Sequence, residues 1–72
     1  MPTINMEATG LNIKNLITKN NMTVKDVAIT FGFASVNPVY KWINGKTLPA
    51  LDNLVVLAKV LDTKIDDIIV VN

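Results

Sequence analysis

S-V-N-P-V-Y-K-W-I-N-G-K-T, residues 35–47, reads at helical spacing as two separate faces. Val36, Val39, Trp42 and Ile43 recur at i, i+3, i+6 and i+7, an apolar stripe suited to a core. Asn37, Tyr40, Lys41 and Asn44 recur at i, i+3, i+4 and i+7 on another side, a row of hydrogen-bonding side chains with one cation and no carboxylate. Gly45 is the expected stop, because glycine enters the left-handed cap conformation without steric cost. A helix of this kind docks with one side and presents polar tips with the other. A merely solvated face would look the same, so the flanking segments decide.

Upstream, Asn20-Asn21 is a turn signal, and Thr23 reads as an N-cap with Asp26 three residues on, a capping box with Asp in place of Glu. The second helix is expected over Val24–Phe31, with Val24, Val27, Ala28 and Phe31 on one face and Gly32 after it. A short helix, a glycine turn and a second helix with a polar outer face make a helix-turn-helix. The start of the second member stays open. Either Ser35 caps it with Pro38 in the first turn, or Asn37 caps it with Pro38 at the first helical position. A capping Asn37 would have its side chain engaged by the backbone and unable to read a base.

Further out, Ile13, Leu16 and Ile17 predict a first helix from Leu11 to about Asn20, with Asn12, Lys14, Asn15 and Lys19 facing out. Residues 1–9 have no helical period, and Ile4 and Met6 alternate as in an extended arm. A fourth helix is expected over Leu51–Leu61; it is apolar on so many sides that it belongs at the centre of the bundle. Ile65, Ile68 and Ile69 predict a short last helix, after which Val70 and Val71 suit a strand equally well. The fold class expected for 1–72 is thus one all-α domain of four or five helices. Its core should include Ile13, Leu16, Val27, Ala28, Phe31, Val39, Trp42, Leu54, Leu57, Ala58 and Leu61.

Composition narrows the function. The 72 residues contain no cysteine and no histidine, which removes thiolate metal sites, disulfides and every Ser/His or Cys/His catalytic arrangement. Asp66 and Asp67 are adjacent acids near a helix start, where the helix dipole accounts for them. No enzyme, metal or cofactor is expected, and so small a core foresees no small-molecule ligand. No run reaches the ~20 apolar residues of a membrane span, and no signal segment is visible, so the expected compartment is the cytoplasm. Net charge is only +1, yet it is unevenly spread. Residues 8–50 hold Lys14, Lys19, Lys25, Lys41 and Lys46 against Asp26, a balance of +4. Residues 51–72 hold Lys59 and Lys64 against Asp52, Asp62, Asp66 and Asp67, a balance of −2. The middle is the part that would face phosphates.

With those residues in view, the sequence resembles the Cro/repressor-type (XRE) helix-turn-helix family, small bacterial and phage DNA-binding regulators. T-V-K-D-V-A at 23–28, Gly32, V-Y-K-W-I-N-G-K at 39–46, Pro49 and D-N-L-V-V-L-A-K-V-L at 52–61 carry the resemblance, which runs from about Gly10 to Ile69. It implies that the helix from about Ser35 lies in the major groove of double-stranded DNA. Val36, Asn37, Tyr40 and Lys41 are then the base-reading candidates, and Ser35, Asn44, Lys46 and Thr47 the phosphate candidates. It also implies a transcription regulator, a repressor acting as a homodimer in a bacterial or phage setting.

Several positions depart from the family pattern. Val24 stands where the family often has a phosphate-touching Gln, and one extra residue falls in the turn near Ala34. Ala50 replaces the usual capping Ser or Thr. Ile43 and Val56 replace polar residues, and with Ile4, Met6, Val70 and Val71 they form an apolar surplus that suggests a partner subunit. The two extended ends could pair within a chain or swap between chains. The competing expectation is a protein-interaction module on the same scaffold, an antitoxin or an inhibitor of a phage or host factor.

Overall fold

The computed structural model describes residues 2–72. Five helices follow one another: α1 (Met6–Lys19), α2 (Val24–Thr30), α3 (Asn37–Ile43), α4 (Leu51–Val60) and α5 (Ile65–Ile68). Among the described residues there is no strand, only an isolated antiparallel bridge between Ile4 and Val71. The all-α class expected from the sequence is the class observed.

The first helix begins five residues before Leu11. Asn5 caps it, its side chain accepting the Ala8 amide at 2.9 Å, and the expected arm shrinks to the segment before the cap. Position 1 of that arm lies outside the described residues. Thr9 and Gly10, which look locally like poor helix formers, sit inside the helix for tertiary reasons. Thr9 is fully buried; its hydroxyl accepts the Val70 amide at 2.9 Å and donates to the Val70 carbonyl at 3.4 Å. A Cβ on Gly10 would run into the carbonyl oxygens of Trp42 and Ile43 and lie 2.8 Å from the Ile43 carbonyl carbon. Only glycine lets α1 approach the end of α3 this closely. Asn12, expected to face out, is half-buried and donates to the carbonyls of Asp67 and Ile68, the second at 3.0 Å.

The first four helices end alike, with a left-handed residue at the position after the C-cap and two backbone bonds back into the last turn. For α2 these bonds are Gly32 to Ile29 (3.0 Å) and Phe33 to Ala28 (2.9 Å). For α3 they are Gly45 to Trp42 (3.1 Å) and Lys46 to Lys41 (2.9 Å). Asn21 (φ 57°), at the expected Asn20-Asn21 turn, and Asp62 (φ 52°) fill the same position after α1 and α4.

Ile13, Ile17, Val27, Ala28, Val39, Trp42, Leu54, Leu57, Ala58, Leu61 and Ile68 form the core. Leu16 and Phe31 are half-buried and pack against it, Ile17 is buried on the apolar edge expected of the first helix, and Ile68 joins the core beyond expectation. The expectation for α4 fails in one respect. Only its Leu54, Leu57 and Ala58 row is buried; Leu51, Val55 and Val56 lie on the outside, so α4 flanks the bundle rather than filling its centre. Beyond α5 the chain returns to its beginning. The Asn5 amide donates to Val70 (2.8 Å) and the Asn72 amide to Thr3 (2.9 Å), so the two ends pair within one chain.

Candidate nucleic-acid interface

Three devices set the position of α3. At the start of α2 the capping box is complete: the Asp26 amide donates to the Thr23 hydroxyl (3.1 Å), and the Thr23 amide donates to the Asp26 carboxylate (2.8 Å). These bonds from Thr23, backbone first and side chain second, hold the Asp26 carboxyl below its ordinary value. Between α2 and α3 the turn carries an aromatic cluster. Phe31 stacks on Phe33 at 5.3 Å, and both rings meet Trp42 edge-on at 5.6 and 5.8 Å. At its far end α3 rests against Gly10 of α1.

The start of α3 follows neither of the two expected arrangements. Val36 occupies the cap position without a side-chain bond, Asn37 is the first helical residue and Pro38 the second. The Ser35 hydroxyl accepts the Asn37 amide at 3.3 Å, one position earlier than a standard cap. The Asn37 side chain is therefore not engaged as a cap.

Of the four residues expected to read bases, Asn37, Tyr40 and Lys41 are exposed on the outer side of α3. Val36 is half-buried and packs against the core, which leaves it less surface to offer. Ser35, Asn44, Lys46 and Thr47 are all exposed, two in front of the helix or at its end and two in the turn beyond it. The Lys41 carbonyl accepts the amides of Lys46 and Thr47 at 2.9 and 3.3 Å, which folds the turn back along the helix end. Val24 is half-buried against the core, and Ile43 likewise packs inward rather than standing free. Gly10 and Thr9 are the contributors the sequence reading missed. A glycine inside a helical pattern was the available sign of close approach.

A family model described as the Cro/C1-type HTH DNA-binding domain matches residues 12–72. The chain belongs to the Cro/C1-type helix-turn-helix family. In this Cro/C1-type domain α2 and α3 are the helix-turn-helix pair, and DNA binding is the activity that goes with membership. Neither a curated protein nor a solved structure matches significantly. Among the described residues of the domain no helix is long and apolar enough to cross a membrane.

Proposed function

We propose that the chain is a sequence-specific transcriptional regulator, a repressor that binds DNA in the cytoplasm as a two-fold dimer through the helix at about 35–44. The outer row of α3 supports this reading. Asn37, Tyr40, Lys41 and Asn44 are exposed, and among the described residues no side-chain hydrogen bond within the chain occupies them. Such a row meets base edges with its donors and acceptors free.

The roles follow from chemistry. Lys41 donates to guanine O6 and N7, and the Asn37 amide pairs bidentately with adenine. Tyr40 stands beside them, and what Val36 leaves exposed suits a thymine methyl. Ser35, Asn44, Lys46 and Thr47 hold phosphates and fix the register. A single small module reads few base pairs, so two copies on a palindromic site supply the specificity.

A protein-interaction role is the second reading, favoured by Ile29 and Leu51 standing 66% and 74% exposed. An electrophoretic shift on random duplex at low salt, followed by selection of the bound fraction, separates the two. A shift with an enriched palindromic consensus supports the regulator. No shift at any salt concentration moves the chain to the interaction class.

A further inference from the structure

The outer face of α4 carries a pattern that DNA reading does not use. Asp52, Val55, Val56 and Lys59 recur at i, i+3, i+4 and i+7, so they form one stripe, on the side away from the buried Leu54, Leu57 and Ala58. All four are exposed, the two valines at 45% and 42%. The helix dipole accounts for an acid in the first turn and a base in the last. It does not account for two adjacent valines between them, on a face that surface helices fill with polar residues. The order acid, valine, valine, base is its own complement when the helix is reversed. Asp52 and Lys59 lie equally far from the point between Val55 and Val56.

We propose that this stripe joins two copies of the chain, α4 against α4, antiparallel about a two-fold axis passing between Val55 and Val56. Asp52 of one copy then lies level with Lys59 of the second, and symmetry makes the same pair at the other end. Near the axis each valine packs beside its own equivalent. A parallel arrangement would set Asp52 against Asp52 and Lys59 against Lys59, so charge selects the antiparallel one. Leu51, one turn before Val55, extends the apolar margin of the contact. The inference rests on the dimeric reading above and names the surface that would join the dimer.

Sedimentation of the full chain without DNA, over a range of concentrations, tests it with charge reversals. D52K places lysine at both charged positions of the stripe, and K59D places aspartate at both. The wild-type chain self-associates, and each single variant raises the dimer dissociation constant about tenfold or more. An equimolar mixture of the two variants pairs again, because each now meets the opposite charge, and the D52K/K59D double variant regains self-association. Misfolded variants could not produce that recovery. A monomeric wild-type chain leaves the stripe to solvent or to another partner and overturns the contact. Single variants that associate as well as wild type, or a mixture that stays monomeric, overturn it too. Binding to random duplex, measured separately, keeps the readings apart. A monomer that binds DNA overturns this contact and leaves the regulator standing, whereas a dimer that binds no DNA supports the contact and overturns the regulator.

Discussion

Gly10 of α1 lies so close to Ile43 at the end of α3 that a methyl group on Gly10 would stand 2.8 Å from the Ile43 carbonyl carbon. The neighbouring atoms are backbone, so they cannot rotate away as a side chain would. The first helix is thus the rest against which α3 is set, and an apparent weakness in its sequence is a requirement of its packing.

Gly10→Ala should accordingly destabilise the fold by about 1–3 kcal/mol through overpacking. Helix propensity alone predicts the reverse, a gain of roughly 1 kcal/mol from replacing glycine by alanine. Urea unfolding followed by circular dichroism decides between them. An alanine variant as stable as wild type would contradict the close approach of α1 to α3.

Gly32 and Gly45 offer a comparison at matched backbone, with φ of +72° and +70°. A Cβ on Gly32 meets nothing within 4 Å, so Gly32→Ala should cost only the left-handed backbone penalty, about 1–2 kcal/mol. A Cβ on Gly45 would lie 3.0 Å from the Glu7 Cα, so Gly45→Ala should cost measurably more. Equal unfolding midpoints for the two variants would contradict the packing of the α3 turn on α1.

The capping box gives α2 a pH dependence. Its hydrogen bonds hold the folded Asp26 carboxyl below the unfolded value, so the unfolded chain takes up the proton first as pH falls. The stabilisation is whole above the ordinary carboxylate pKa of about 4 and is lost as pH drops through the lowered folded value. Asp26→Asn should therefore be less stable than wild type near neutrality and converge with it in acid. Melting temperatures of both proteins measured down the pH scale check this; a constant gap between them would contradict it.

Local chemistry made much of this legible. The helix stops at Gly32, Gly45, Asn21 and Asp62 carry their reason in the residue itself, and the capping box at Thr23 and Asp26 does too. The row Asn37, Tyr40, Lys41 and Asn44 could be seen because helical period alone places it on one face. What stayed hidden was long-range. Thr9 is explained by Val70 and Asn12 by Ile68, partners more than fifty residues away in sequence. In α4 apolar residues occupy so many angles of the helix that period singles out no buried face, and only the packing buries Leu54 and Leu57 and leaves Val55 and Val56 outside. Val36 belonged by period to the apolar stripe and by family resemblance to the base readers, and it lies half-buried.

Base reading by α3, with the turn after it on the phosphates, is open to test by paired lysine substitutions. Lys41 stands exposed within the helix and Lys46 exposed beyond its end. Affinity of Lys41→Ala and Lys46→Ala should be measured on the selected site and on scrambled duplex, across salt concentrations. Lys41→Ala should cost roughly 1–3 kcal/mol on the selected site and less on scrambled DNA. Lys46→Ala should weaken both duplexes alike and lower the salt slope by about one. Equal losses on both duplexes for both variants would contradict base reading by Lys41, and unchanged binding in both would show that α3 is not the reading element.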